Sequence, residues 1–131
     1  MKKYPLLYTS LVLVILLGVL HFIAETFYLY WTLWWFDNVA HFLGGLALGY
    51  VSLYIFCGSG IFKGKISLAQ TMLASFVLVM ILGSIWEIFE YANGITESTE
   101  KYSLDIIHDL LSDALGVIFA LWTAKRFLKS S

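Results

Sequence analysis

The sequence predicts an all-α integral membrane protein, in which one domain spanning residues 1–131 forms a four-helix transmembrane bundle. Three observations predict this class. The chain is 60% hydrophobic and only 13% charged, whereas a soluble domain is about a quarter charged. Four apolar stretches are each long enough to cross about 30 Å of hydrocarbon, which takes about 20 residues. Basic residues collect beyond alternate ends of these stretches, as they do in proteins that cross a membrane.

The predicted helices cover residues 5–27, 37–57, 66–91 and 104–124. Pro5 suits a first helical turn, because its missing N–H costs nothing there. Asn93 and Gly94 are expected to end the third helix, since both residues tolerate the left-handed conformation. The connector between the first two helices is crowded with aromatic side chains, which is typical of a belt at the level of the lipid headgroups.

The basic residues predict the orientation of the bundle. Only Lys101 falls on one side of it, and the other seven fall on the opposite side: Lys2, Lys3, Lys63, Lys65, Lys125, Arg126 and Lys129. Because cytoplasmic loops carry the excess of lysine and arginine, the crowded side is predicted to be cytoplasmic, with both termini inside.

Composition also excludes several functions. The formal net charge of −1 argues against a nucleic-acid partner, because no basic surface is present to neutralise phosphates. Cys57 is the single cysteine, so neither a disulfide nor a thiolate metal cluster can form within one chain.

Acids and histidines are placed so that every predicted helix presents a pair on one face. The members of each pair are three or four residues apart, and this spacing brings them to the same side of a helix. The pairs are His21 and Glu25, Asp37 and His41, Glu87 and Glu90, and a longer run of Asp105, His108, Asp109 and Asp113.

These groups also share a depth. At about 1.5 Å per residue from the cytoplasmic ends, His21, His41, His108 and Asp109 fall at roughly 24–26 Å. The other acids lie slightly farther out, apart from Asp113, which falls nearer to roughly 18 Å. The sequence therefore predicts a single polar layer just beneath the outer interface.

Carboxylates in such a layer repel one another, and no lysine or arginine lies at their depth. Protonation, hydrogen bonding to histidine or a bound cation must therefore stabilise them. We predict a site for one or two divalent ions, Zn, Mn or Fe, since oxygen and nitrogen ligands without thiolate suit these metals. The predicted ligands are Asp37, His41, Glu87, His108 and Asp109; Glu90 or Asp105 is the predicted catalytic general base; His21, Glu25 and Asp113 form a predicted outer shell.

Simpler interpretations remain open for these residues. Asp37 is also suited to be an N-cap of the second helix, and Glu25 and Asp105 to be solvated residues at helix ends. A metal-free proton network, or unconnected structural polar groups, would use the same side chains. Three small residues of the second helix, Gly44, Gly45 and Gly49, favour close helix packing, either within the chain or between two copies in a homodimer.

A family resemblance follows from three segments: Asp37 to Phe42 (DNVAHF), Trp86 to Glu90 (WEIFE), and Asp105 to Asp113 with Gly116. Together they resemble the small bacterial inner-membrane proteins of the YjdF type and, more distantly, VanZ-like proteins. The resemblance implies four helices, a shared polar site and location in a bacterial inner membrane, but no reaction. The pair His21 and Glu25 has no counterpart in it.

Three functional hypotheses follow. The leading one is a metal-dependent enzyme acting on a membrane lipid or lipid-linked substrate, in which a metal-activated water attacks an ester or phosphodiester, or two irons activate oxygen. The second is a transporter of divalent cations or protons, since acids and histidines inside a membrane mark ion pathways. Few polar side chains are expected in the cytoplasmic half, which argues against a continuous path. The third is a structural membrane subunit.

Overall fold

The computed structural model describes residues 4–62, 64–95 and 101–128, which form helices and turns without any strand. The helices in chain order are α1 (Tyr4–Thr26), the short α2 (Leu29–Thr32), α3 (Phe36–Leu53), α4 (Leu68–Asn93) and α5 (Tyr102–Leu128). A π-helical turn, Tyr54–Gly58, continues α3 at its end. The all-α prediction is confirmed for this part of the chain, and the long helices begin and end close to their predicted positions.

Three of the described helical segments are long and apolar enough to cross a membrane: Tyr4–Thr26, Phe36–Gly58 and Leu68–Asn93. Their apolar side chains are largely exposed, as expected where the surrounding solvent is lipid rather than water. The orientation prediction rests partly on Lys2, Lys3, Lys63 and Lys129, which lie outside the described residues.

Glycines allow α3 and α5 to form the closest helix pair in the structure. A β-carbon at Gly116 would collide with the Phe42 carbonyl oxygen, and one at Gly45 would collide with the backbone of Asp113. A β-carbon at Gly49 would lie 2.7 Å from that of Ala120. Gly45 and Gly49 therefore serve packing within the chain, which leaves an association between two chains as a prediction.

An apolar core fills the end of the structure that contains the start of α1 and the end of α5. Its buried residues come from all four long helices: Leu6, Tyr50, Leu53, Val79, Val117, Ala120, Leu121 and Ala124. The Tyr50 hydroxyl and Thr123 Oγ1 form a hydrogen bond of 2.8 Å across α3 and α5. This core fixes the register of α3 against α5, and so sets the height at which their acidic residues meet.

Both ends of α4 have local stop signals. Ser67 and Gln70 form a reciprocal capping box at its start, which satisfies backbone N–H groups that lack helical partners. Gly94 ends the helix in the left-handed conformation, with φ of 65°, as predicted from Asn93-Gly94. These two signals determine which residues belong to α4 and so can pack against the other helices.

Helices α1 and α4 each pack against α3 and do not pack closely against each other. The connector from α1 to α3 turns at Tyr28, whose φ of 56° is left-handed, and then forms α2. A gap consequently lies between α1 and α4, and it leads toward the acidic residues described below.

Candidate acid–histidine site

One imidazole, that of His41, lies at the centre of four carboxylates. Its Nε2 is 3.7 Å from Asp37 Oδ1, 3.9 Å from Glu87 Oε1 and 3.7 Å from Asp109 Oδ2. Its Nδ1 is 3.4 Å from Asp113 Oδ1. The side chains come from α3, α4 and α5, so three helices supply this cluster, which we call the His41 cluster.

Helical spacing explains how the helices present these groups. Asp37 and His41 are four residues apart on α3, and Asp109 and Asp113 are four apart on α5, so each pair shares a face. Asp37 lies in the first turn of α3. The interpretation of Asp37 as an N-cap is wrong, because that position is occupied by Trp35, whose side chain makes no capping hydrogen bond.

The carboxylates are deeply buried. The exposed fraction is 1% for Asp109, 5% for Glu87, 6% for Asp113 and 8% for Asp37. No lysine or arginine in the described part of the chain forms an ion pair with them. If all four acids are ionised, a protonated His41 offsets the charge of only one of them.

Several buried oxygens of this cluster have no hydrogen-bond partner among the described residues: Glu87 Oε1, Asp109 Oδ1 and Asp113 Oδ2. A buried polar atom without a partner costs about 1–3 kcal/mol, and more when the group is charged. Of these atoms, Glu87 Oε1 also lies near His41 Nε2, whereas Asp113 Oδ2 lies against Gly83.

Two sets of side chains within this region have metal-ligand spacing. Asp37, His41 and Asp109 form one set, and His41, Glu87 and Glu90 form the other, with ligand atoms within 4.8 Å of one another in each. Both sets share His41. The acids near its Nε2 are Asp37 and Asp109 of the first set and Glu87 of the second. The two sets therefore overlap at His41 and are not independent of each other.

A cavity of about 600 Å³ opens beside the His41 cluster. Asp37, His41 and Asp113 form part of its wall, and most of the remainder is apolar. Its wall also includes His21 of α1 and the buried Tyr30 of α2. The volume lies within the roughly 300–1,000 Å³ that is usual for small-molecule sites.

The remaining predicted site residues lie at different distances from this centre. Asp105 lies near enough to interact electrostatically with Asp37, Glu87 and Asp109. His108 belongs to neither metal-ligand set, although it has an interaction of its own; its role as a ligand stays a prediction. His21 lines the cavity rather than the cluster, and Glu25 is exposed.

Sequence reasoning missed three contributors to the site. The Tyr30 hydroxyl and His21 Nδ1 share a hydrogen bond of 2.8 Å. Trp86 interacts with the Glu90 carboxyl group, which lies four residues along the same helix. Gly83 is buried against the Asp113 carboxylate. The Trp86 pairing was readable from its spacing, whereas the other two depend on how the helices are placed in space.

The apolar helices and the buried acid–histidine cluster define the class: an integral membrane protein with a polar site enclosed among its helices. The chain belongs to the family described as "Predicted membrane protein (DUF2238)", whose family model matches residues 1–130. YjdF-type proteins are members of this family, so the resemblance to them is confirmed. Neither a curated protein nor a solved structure matches the chain.

Proposed function

We propose that the protein binds one divalent metal ion at the His41 cluster and is a metal-dependent enzyme acting on a membrane lipid. The observation that carries the proposal is the set of three buried carboxylates within 3.9 Å of His41 Nε2, together with buried oxygens of Glu87 and Asp109 that have no hydrogen-bond partner among the described residues. A divalent cation is the ligand that offsets this charge while accepting both oxygen and nitrogen donors.

The ligand set follows from the distances. Asp37, Asp109 and Glu87 all approach His41 Nε2 to within 3.9 Å, and small inward movements of these side chains would bring their oxygens around one ion. Asp113 meets Nδ1 instead and orients the ring, as outer-shell carboxylates do at histidine metal sites. Zn, Mn and Fe suit this donor set.

An ion held there would supply Lewis-acid chemistry for cleaving an ester or phosphodiester bond. Glu90, which belongs to the second metal-ligand set, is the proposed general base when the ion is bound through Asp37 and Asp109. Its Trp86 partner restrains the carboxyl group. Asp105, the other proposed base, lies near enough to Glu90 to interact with it electrostatically.

The membrane arrangement belongs to the same proposal. Helix α5 has 27 residues and is long enough to be a fourth span, since about 20 residues cross the hydrocarbon. With α5 as a fourth span, both termini lie on the same side of the membrane, and the distribution of lysine and arginine makes the cytoplasm the proposed side. The His41 cluster then lies in the outer half of the bundle. A bacterial inner membrane is the proposed location, as for the YjdF-type proteins that the chain resembles.

Metal analysis of the purified, detergent-solubilised protein tests the metal centre. We expect one equivalent of Zn, Mn or Fe in the wild type after reloading, and its loss in Glu87→Gln. Glu25→Gln is the matched control, because it makes the same change at an exposed acid of α1 and should keep the metal. A wild-type protein that takes up no metal would refute the proposal.

Cation or proton transport is the second candidate, and buried hydroxyls favour it. At the end of the bundle that is proposed to be cytoplasmic, where few polar side chains were expected, Ser10, Ser52, Thr71 and Ser75 are buried. Ser75 Oγ has no partner among the described residues. However, Val79 is 1% exposed and lies between Ser75 and Gly83 on the buried face of α4, which interrupts a polar path to Asp113.

Reconstituted vesicles separate the two candidates. The enzyme proposal expects metal-dependent hydrolysis of lipid and no flux of Mn²⁺ or protons across the vesicle membrane. Flux in the wild type that increases in Val79→Ser and decreases in Ser75→Val would support transport instead.

A further inference from the structure

We infer that the cavity receives one membrane lipid with an uncharged, hydroxyl-bearing headgroup, which enters sideways between α1 and α4 and is bound by His21 opposite the His41 cluster. This inference rests on the proposed function and narrows its substrate class. It depends on the shape of the cavity, the charge of its wall and the pairing of His21 with Tyr30.

The gap between α1 and α4 supplies the entrance. Both helices border the cavity, α1 through Leu17 and His21, and α4 mainly through apolar side chains, yet they do not pack closely against each other. Three of these α4 residues are about half exposed, namely Ile85, Trp86 and Phe89. An apolar opening on the lipid-facing surface of a membrane helix pair admits an acyl chain without passage through water.

The charge of the cavity wall selects the headgroup. The charged groups that reach the cavity are acidic or histidine side chains, and no lysine or arginine of the described residues lines it. A divalent ion offsets two of the four carboxylates around His41, so the wall does not become positive. A phosphate headgroup would therefore meet repulsion, whereas a hydroxyl donates hydrogen bonds to carboxylate oxygens.

His21 supplies the second contact for such a headgroup. Its Nδ1 is held at 2.8 Å by the Tyr30 hydroxyl, and the two rings are tilted with centroids 5.7 Å apart. Tyr30 is itself only 4% exposed, so this pairing restrains an otherwise exposed histidine. With Nδ1 paired to Tyr30 and the ring lining the cavity, Nε2 is the nitrogen that binds an oxygen of the lipid in this proposal.

Lipid retention by the full-length protein, measured by native mass spectrometry, tests the inference. The probes are dioleoylglycerol and dioleoyl phosphatidic acid, which differ only in the phosphate. We expect the wild type to retain one dioleoylglycerol at least roughly tenfold more strongly than the phosphatidic acid. Equal retention of the two probes, or stronger retention of the phosphatidic acid, would overturn the inference.

Two neighbouring substitutions on α4 locate the lipid. Leu82→Trp fills the cavity, and Ile81→Trp places the same bulk on an adjacent exposed residue outside its wall. Retention should fall roughly tenfold in Leu82→Trp and stay unchanged in Ile81→Trp.

His21→Ala should weaken lipid retention, and Tyr30→Phe should weaken it less. Equal retention in both tryptophan variants would contradict a lipid entrance. It would also be contradicted if α1 of one chain could be cross-linked through this gap to α4 of a second copy.

Metal content measured in the same samples separates this inference from the proposed function. Leu82→Trp should lose the lipid and keep the metal, because it alters no residue of the His41 cluster. Wild-type protein that holds metal but no dioleoylglycerol would refute the lipid inference and leave the metal centre intact. Protein that retains the lipid without ever binding metal would refute the proposed function alone.

Discussion

The Asp113 carboxylate occupies the space in which a side chain at Gly83 would lie: a β-carbon built at Gly83 would be 2.5 Å from Asp113 Oδ2. The same carboxylate contacts His41 Nδ1 through Oδ1 at 3.4 Å. Packing between α4 and α5 is thereby linked to the orientation of the imidazole at the centre of the cluster.

Gly83→Ala should therefore weaken metal binding without changing any ligand. The added methyl group must displace Asp113 or separate the helices, and overpacking of this kind costs about 1–3 kcal/mol. Because outer-shell partners of a histidine ligand affect affinity by about 10–100-fold, we expect a loss within that range, measured by equilibrium dialysis with Mn²⁺. Gly18→Ala is the control, since its β-carbon meets nothing within 4 Å. Equal Mn²⁺ affinity in Gly83→Ala and Gly18→Ala would show that packing at Gly83 does not affect the His41 cluster.

Asp109→Asn should have opposite effects on the metal-free and metal-loaded protein. Without metal, the substitution removes one charge from a group of four facing acids, so the protein should unfold at an equal or higher temperature. With metal, the wild type should gain about 2.7 kcal/mol at a concentration of 100 times Kd, and the variant should gain less. Thermal unfolding with and without chelator measures both effects. Destabilisation of the same size in both conditions would favour a purely structural network.

Gly116→Ala should destabilise the protein, because its β-carbon would collide with the Phe42 carbonyl oxygen at the closest approach of α3 and α5. Backbone atoms cannot move aside as a side-chain tip can, so we expect a loss of about 1–3 kcal/mol in the unfolding free energy in detergent. Gly44→Ala has no contact closer than 3.9 Å and should be tolerated. A tolerated Gly116→Ala would mean that the two helices are farther apart than described.

Membrane topology has its own test in single-cysteine variants made in a Cys57→Ser background. Lys101→Cys should react with a membrane-impermeant maleimide in intact cells, because the positive-inside rule places Lys101 outside. Lys65→Cys and Lys125→Cys should react only after the cells are permeabilised. If Lys65→Cys and Lys125→Cys are labelled from opposite sides of the membrane, α5 is not a fourth span.

The sequence predicted the four long helices and most of the cluster because both depend on local periodicity. Spacings of three and four residues placed Asp37 with His41 and Glu87 with Glu90 before any packing was known. Helix α4 was predicted to begin at residue 66 and begins at Leu68, where Ser67 and Gln70 carry the spacing of a capping box.

The role of His108 could not be predicted from spacing alone. Adjacent residues of a helix point about 100° apart, and in the structure the buried positions of α5 continue from Asp109 through Asp113 and Val117. His108 stays a predicted ligand. The pairing of His21 with Tyr30 was not readable, since it depends on the left-handed turn at Tyr28 and the short helix α2.

Electron spin echo envelope modulation on the Mn²⁺-loaded protein shows whether His41 binds the metal. We expect the ¹⁴N modulation of one coordinated imidazole in the wild type and in His108→Gln, and its disappearance in His41→Gln. Modulation that persists in His41→Gln, or that is lost in His108→Gln instead, would show that His41 is not the ligand.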